Sequence, residues 1–249
     1  MRRVLALVAA LTASFAVAQP VATGTSGSGK AWCREYGSVH TGGYVVRDDF
    51  WAGRVCLSAT RGVPGFTVSR TAFPADRSPT WAFPNIFTGC EWGICTHASG
   101  LPARVASLRN PQVTFSTSGD PAGGWSAAVE TWFSHKAMRT GQADQAELMV
   151  WLRARWRHDS YKVVKVGGVR YYVSHWIANH YTGVTWNYIQ FRRVRQVAGV
   201  TALKLAPFIR YAERHGWIKA SSYMDNIEAG FELRAGGEGL AVRRFTARP

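Results

Sequence analysis

The chain has 249 residues, of which 47% are hydrophobic, so it can form a substantial core and does not have the composition of a disordered polypeptide. Thirty Lys and Arg residues against 15 Asp and Glu give a formal net charge of +15. These basic residues are scattered and no nucleic-acid-binding motif accompanies them, so we expect a basic, soluble surface and no nucleic-acid partner.

The N-terminus has the pattern of a secretory signal peptide. Two arginines precede an almost wholly apolar run over residues 4–17, and small residues at the end of this run fit a signal peptidase site. We therefore predict a signal peptide over residues 1–18, a flexible Gly/Ser/Thr-rich lead-in over 19–30 and a single domain over 31–249. The apolar run is too short to span a bilayer, so we expect a secreted protein without a membrane anchor after cleavage.

Four cysteines follow the leader, at Cys33, Cys56, Cys90 and Cys95. Three pairings are possible, and the simplest joins Cys33 to Cys56 and Cys90 to Cys95, which closes two local loops. A zinc site is the alternative, but the spacing of these cysteines does not fit one. We expect disulfides, no metal and no cofactor.

Most of the chain has the pattern of short β-strands. Runs rich in Val, Ile, Thr, Tyr, Phe and Trp recur between Gly, Pro, Asn, Asp and Ser residues. The clearest runs cover residues 43–46, 65–69, 112–117, 146–152, 162–166, 170–174, 186–192 and 226–233.

A helix is predicted only near the end of the chain, over residues 203–215. Leu205, Phe208, Ile209 and Ala212 have the i, i+3, i+4, i+7 spacing of a helical face, and Gly216 follows as a stop. Many strands with one late helix predict an all-β sandwich of two sheets.

Two of the predicted strands carry candidate catalytic carboxylates. Strand alternation places Glu147 and Met149 on one face of the first, and Glu228 and Glu232 on one face of the second, while the opposite faces are wholly apolar. A retaining glycosidase needs two carboxyls roughly 5–5.5 Å apart. A single glutamate of this kind is typical of a solvent-facing residue, and the strand pattern leaves both interpretations open.

Four sequence blocks, in order, resemble glycoside hydrolase family 12. Residues 146–152, AELMVWL, are similar to its nucleophile strand, and residues 227–242, IEAGFELRAGGEGLAV, to its acid/base strand. Residues 85–102, NIFTGCEWGICTHASGLP, resemble its local-disulfide segment, and residues 44–51, YVVRDDFW, resemble its N-terminal signature. The resemblance implies a jelly-roll sandwich of two antiparallel sheets, with a long substrate cleft, that cuts β-1,4-linked glucans internally without a cofactor.

The resemblance also implies the roles of individual residues. Glu147 is expected to be the nucleophile and Glu232 the general acid/base, with Glu130 supporting the nucleophile in place of the family's aspartate. The four cysteines match the family's usual disulfides. The expected substrate-binding residues are Asp49, Trp51, Trp92 and Met149.

Departures from the family pattern leave the preferred glucan open. Acidic Asp48 and Asp49 replace paired asparagines, and Arg234 stands where a tryptophan is usual. Glu91 and Glu228 are expected to line the cleft or to meet solvent, with solvent favoured for Glu228. The alternatives are a carbohydrate-binding sandwich without strong activity and a retaining glycosidase of another specificity, such as xylan. The expected partner is a polysaccharide, and we expect a monomer.

Overall fold

A computed structural model describes residues 31–59, 62–75, 80–156 and 162–249. The predicted signal peptide and lead-in lie outside the described residues. Within the described ranges no helix is long and apolar enough to cross a membrane.

Strands make up most of the described chain, and they alternate with short turns. In chain order they are β1 Gly37–Thr41, β2 Tyr44–Asp48, β3 Arg54–Ser58, β4 Phe66–Ala72, β5 Asn85–Glu91, β6 Ile94–Cys95, β7 Ala103–Arg104, β8 Gln112–Ser118, β9 Gly123–Ser134, β10 Ala146–Ala154, β11 Lys162–Val166, β12 Val169–Asn179, β13 Thr185–Arg193, β14 Gly199–Lys204, β15 Tyr223–Met224, β16 Asn226–Gly236 and β17 Ala241–Arg248. A short 3-10 helix covers Val105–Ser107, and the helix α1 covers Ala206–Arg214.

The larger sheet has the strand order β1-β2-β5-β16-β9-β10-β13-β12-β11, with the two-residue strands β6, β7 and β15 attached at its side. The smaller sheet has the order β14-β8-β17-β4-β3. The predicted two-sheet, all-β sandwich is therefore confirmed. One pair departs from the antiparallel expectation, since β10 and β13 run parallel because the chain crosses to the far edge and returns through β11 and β12.

The main hydrophobic core lies between the two sheets. The predicted apolar faces of β10 and β16 contribute to it, through side chains such as Leu148, Val150, Ile227 and Phe231. On the opposite face of β10, Met149 and Trp151 belong to a second, smaller apolar cluster. Two-residue alternation along each strand thus separates the core from an open face on the larger sheet.

The helix α1 begins three residues later than predicted. Residues 203 and 204 instead end β14, which pairs with β8 in the smaller sheet, so strand pairing overrides the local helical pattern there. Phe208, Ile209 and Ala212 point into the main core, as their spacing predicts.

Both expected disulfides are present. Cys33 is bonded to Cys56 of β3, and Cys90 at the end of β5 is bonded to Cys95 of β6. The second bond closes the hairpin that carries the exposed Trp92.

Candidate active site

The strand β9 lies between the two strands that carry the predicted catalytic glutamates. On its open face, Glu130 is paired with Met149 of β10 and with Glu228 of β16. Glu147 is two residues from Met149, and Glu232 is four residues from Glu228, so alternation places both on the same face. The register thus gathers four glutamates on three neighbouring strands.

Glu147 is held by two hydrogen bonds at a nearly buried position. It is 8% exposed, and Trp186 Nε1 donates to its Oε2 at 2.8 Å. The pKa of Glu147 is raised to about 8, mainly by burial. The charge of Glu232 also raises this pKa, whereas the hydrogen bonds with Trp186 and Glu130 lower it. The effect of Glu232 means that the two carboxyls are within electrostatic reach of each other.

Glu232 occupies a comparable environment on β16. It is 9% exposed, and Ser126 Oγ donates to its Oε2 at 3.0 Å. Burial raises the pKa of Glu232 to about 7, against the hydrogen bond from Ser126 and the positive charge of Arg234. Burial thus raises the pKa of both carboxyls, and the charge of Glu232 adds to the shift of Glu147.

Glu130 is buried between the other carboxyls. Burial raises its pKa well above the usual value, and the charges of Glu228, Glu147 and Glu232 raise it further, in that order. Burial thus favours the protonated form of Glu130, in which this side chain can donate a hydrogen bond to Glu147 and stabilise the anion of Glu147. The longer side chain that replaces the family's aspartate thus keeps its contact with Glu147.

The predicted substrate-binding residues have different environments. Trp51 and Trp92 are 47% and 43% exposed, so each has side-chain surface that is accessible to solvent. Met149 is buried beneath this face, where the hydroxyl of Tyr188 donates to its sulfur at 2.9 Å. Asp49 forms an ion pair with Arg47 at 3.4 Å, so its carboxylate is already engaged.

The predicted solvent exposure of Glu228 is wrong. This side chain has no exposed surface: Asn226 Nδ2 donates to its Oε1 at 3.0 Å, and the charges of Glu91, Asp49 and Arg47 act on it. Glu91 is buried as well, against the guanidinium of Arg47. Alternation identifies the face of a strand, but it does not reveal what covers that face.

Three site residues were not predicted from the sequence. Trp186 and Tyr188 of β13 flank Glu147 and Met149, and Ser126 of β9 contacts Glu232. Alternation along the predicted strand 186–192 places Trp186 and Tyr188 on one face, so the sequence predicts that they share a face. The sequence does not predict that this strand lies beside β10, because that contact depends on the parallel pairing of β10 with β13.

The charge of Arg234 acts on Glu232. Its guanidinium carbon lies 4.4 Å from the centre of the Trp156 ring, so it stacks on an aromatic surface of its own. The missing tryptophan is thus replaced by a cation that is held beside Glu232 and lowers its pKa.

No group of three or more His, Cys, Asp or Glu side chains in the described ranges is arranged to hold a metal ion. The clustered glutamates instead contact Trp, Ser, Asn and one another. Proton transfer and nucleophilic attack are the chemistry that buried, interacting carboxyls can perform.

The buried carboxyls predict that the protein becomes more stable as the pH falls from 8 to 5.5. In the unfolded chain the glutamate side chains have a pKa of about 4.3. In the folded protein Glu147 and Glu232 have raised pKa values and retain protons up to about pH 7–8. The unfolded state therefore binds fewer protons across this range, and the free energy of unfolding falls as pH rises. We expect Tm to be about 5 °C higher at pH 5.5 than at pH 8.

Differential scanning calorimetry in a pH series measures this shift. The exposed Glu238 provides a control, since Glu238→Gln should leave the slope of Tm against pH unchanged. A Tm that is constant or rises between pH 5.5 and pH 8 would contradict the assigned burial of these carboxyls.

Comparisons with known proteins agree with the fold. The model of glycosyl hydrolase family 12 matches residues 42–248. A metagenome-derived glycoside hydrolase family 12 endoglucanase is 32% identical, with a TM-score of 0.80, and the alignment covers 88% of this chain and 96% of that one. Endoglucanase Cel12A from Rhodothermus marinus is 30% identical, with a TM-score of 0.79 and coverage of 88% and 98%.

A family 12 xyloglucanase from Bacillus licheniformis has the same fold at 19% identity, with a TM-score of 0.78 and coverage of 88% of this chain and 99% of that one. A comparison with curated protein sequences gives no significant match.

Proposed function

The chain belongs to glycosyl hydrolase family 12 and is a retaining glycoside hydrolase of the cellulase type, and we propose that it is a secreted endo-β-1,4-glucanase with Glu147 as nucleophile and Glu232 as general acid/base. The observation that carries this assignment is the cluster of buried glutamates on the open face of the larger sheet. Glu147 and Glu232 interact there, and each has its own hydrogen-bond donor.

In the first step, Glu147 attacks the anomeric carbon and forms a covalent glycosyl-enzyme bond. The bond from that carbon to the leaving oxygen breaks, and Glu232 donates its proton to this oxygen. Trp186 Nε1 and protonated Glu130 both donate to Glu147, and two donors favour its anion. Without a substrate the pKa of Glu147 is the higher of the two, about 8 against about 7 for Glu232. The proposed mechanism has the proton on Glu232 when a substrate occupies the site, and these two donors are the groups that favour that arrangement.

In the second step, a water molecule replaces the departed sugar. Glu232 removes a proton from this water, the oxygen attacks the anomeric carbon, and the bond to Glu147 breaks. Two inversions at the same carbon give net retention of configuration. Glu232 ends protonated and Glu147 ionised, so the starting state is restored.

The proposed substrate is a β-1,4-linked glucan such as cellulose, mixed-linkage β-glucan or xyloglucan. Two similar solved structures are named endoglucanases, which supports a glucan backbone. Exposed Trp51 and Trp92 supply apolar ring faces for stacking on sugar units. The predicted absence of a cofactor and the expected monomer remain part of this proposal.

Reducing-sugar release from barley β-glucan, carboxymethyl cellulose, xyloglucan and xylan tests the proposal. We expect release from at least one glucan, with a rapid fall in viscosity because internal bonds are cut. NMR of the first product should show the β-anomer. Activity on xylan alone would change the assigned specificity, and binding without hydrolysis of any polymer would favour a carbohydrate-binding module.

Replacement of Arg234 should move the pH range of activity upward. Its positive charge lowers the pKa of Glu232, so Arg234→Gln allows the acid/base to keep its proton to higher pH. We expect the basic limb of the kcat/KM–pH profile to rise by up to about one unit.

The matched control is Arg244→Gln, which removes one positive charge from an exposed position on β17 of the smaller sheet. The control should leave the profile unchanged. Equal shifts in both variants would indicate an effect of net charge and contradict a local role for Arg234.

A further inference from the structure

Arg234 lies on the open face of the larger sheet, two residues after Glu232. A β-bulge interrupts the pairing of β16 with β9 at this residue, so alternation alone does not assign the direction of its side chain. Packing against β9 assigns it, because a Cβ atom placed on Gly124 would lie 3.4 Å from the Cβ of Arg234. Gly124 shares a face with Ser126, which donates to Glu232. Arg234 is therefore on the face that carries Glu232.

Trp156 holds the guanidinium of Arg234 by one of its faces. The guanidinium carbon lies 4.4 Å from the centre of the Trp156 ring. Trp156 in turn packs edge-to-face on the buried Trp151 of β10, with 5.1 Å between ring centres. Stacking covers one face of the planar guanidinium, whereas its N–H groups project from the edge of that plane. The side chain of Arg234 is partly exposed, so its edge can donate to a group bound on the open face.

The other charged groups of this face do not favour an anionic substrate. Arg47 is ion-paired with Glu91 at 2.6 Å and with Asp49 at 3.4 Å, so its charge is engaged by carboxylates. The ionised nucleophile, Glu147, would repel a carboxylate carried by a glucan. A cation beside the acid/base offsets this repulsion, and Arg234 is placed to supply it.

We propose that Arg234 is a specificity-determining residue that binds a carboxylate-bearing substituent of the glucan near the bond that Glu232 protonates, so that the protein favours anionic β-1,4-glucans over neutral ones of the same backbone. This inference rests on the proposed function and names its substrate class. Arginine suits the role because its permanently charged planar fork matches the two oxygens of a carboxylate. A tryptophan at this position would offer a stacking surface without a charge to recognise a carboxylate.

The test compares carboxymethyl cellulose with hydroxyethyl cellulose of equal degree of substitution, because the two polymers share a backbone and differ in charge. We measure kcat/KM on both at about pH 6 and low ionic strength, where the carboxymethyl groups are ionised. The parent protein should have the higher value on carboxymethyl cellulose. For Arg234→Gln we expect the ratio of the two values to fall about threefold or more.

Glutamine still donates hydrogen bonds to sugar hydroxyls, so the loss should fall on the anionic polymer. The changed pKa of Glu232 in this variant acts on both polymers alike and therefore cancels in the ratio. Arg234→Lys keeps the charge and should retain at least half of the preference. Salt at about 0.5 M should bring the ratios of the parent and Arg234→Gln together, because it screens the attraction.

The matched control is Arg244→Gln, which removes the same charge from an exposed position on β17 of the smaller sheet. Its ratio should equal that of the parent. A fall of equal size in both variants would assign the preference to net charge and contradict a local role for Arg234.

The outcomes separate this inference from the proposed function. An unchanged ratio in Arg234→Gln, with both polymers still hydrolysed, would overturn the role of Arg234 and leave the proposed function standing. Equal losses on the two polymers would overturn it as well, since they would indicate contact with a neutral part of the glucan. A parent protein that hydrolyses barley β-glucan but not carboxymethyl cellulose would overturn this inference alone, whereas inactivity on every glucan would overturn the proposed function with it. Should Arg234→Gln not fold, Arg234→Met, which keeps an unbranched stem against Trp156, decides by the same ratio.

Discussion

Glu147→Gln is expected to hydrolyse barley β-glucan with a kcat about 10⁴-fold or more below that of the parent protein. The amide cannot form the covalent glycosyl-enzyme bond, so the reaction loses its first step. The variant should fold, since the carboxamide oxygen still accepts the hydrogen bond from Trp186 Nε1. Reducing-sugar release, together with the calorimetric Tm, measures both properties.

The control for this experiment is Asp144→Asn. Asp144 precedes the same strand, its side chain is 41% exposed, and it lies 3.2 Å from His135. It therefore offers a carboxylate at nearly the same sequence position but outside the site. It should keep activity within about twofold, because surface ion pairs contribute little. A Glu147→Gln variant that retains a tenth or more of the parental rate would show that another residue is the nucleophile.

Glu232→Ala should lose activity in a manner that depends on the leaving group. On barley β-glucan, whose leaving oxygen needs a proton, we expect kcat to fall by about 10³-fold or more. On an aryl cellobioside with a strongly acidic phenol, the first step needs no proton donor and should remain fast. The glycosyl-enzyme then accumulates, because no base activates water, and a burst of phenol release reveals it.

Azide separates this role from a purely structural one. The anion fits the space left by the missing carboxyl and attacks without general base assistance, so it should increase turnover of the aryl cellobioside at least tenfold and give a β-glycosyl azide. The same addition should not rescue Glu147→Ala with a β-product, since that variant lacks the nucleophile. If Glu232→Ala loses activity equally on both substrates and azide does not increase its turnover, another residue must be the acid/base.

The sequence alone determined which side chains share a face. The direction of a side chain in a strand depends on local backbone geometry, and neighbours alternate whatever else the chain does. Glu147 and Met149 were therefore assigned to one face of β10, and Leu148 and Val150 to the core, before any tertiary contact was known. The face of the helix α1 and the two disulfide loops were predictable for the same reason, because each depends on residues close in sequence.

The tertiary structure decided which strands lie side by side. β9 was not among the clearest predicted strands, because its first half is rich in Gly, Ala and Ser, which have weak strand propensity. It is nonetheless held on both edges by the ladders to β10 and β16. This placement puts Glu130 beside Glu228 and Met149. No local sequence pattern predicts that these residues are neighbours.

Burial and protonation at the site likewise arise only from the fold. For Glu228, solvent was favoured over the cleft, but its side chain is fully buried. The parallel pairing of β10 with β13 brings Trp186 to Glu147. A pKa depends on desolvation and on charges from several strands, so it follows from three-dimensional packing. Alternation along each strand thus determines which face of the sheet carries the carboxyls. The packing of strands that are distant in sequence determines the pKa values of these carboxyls.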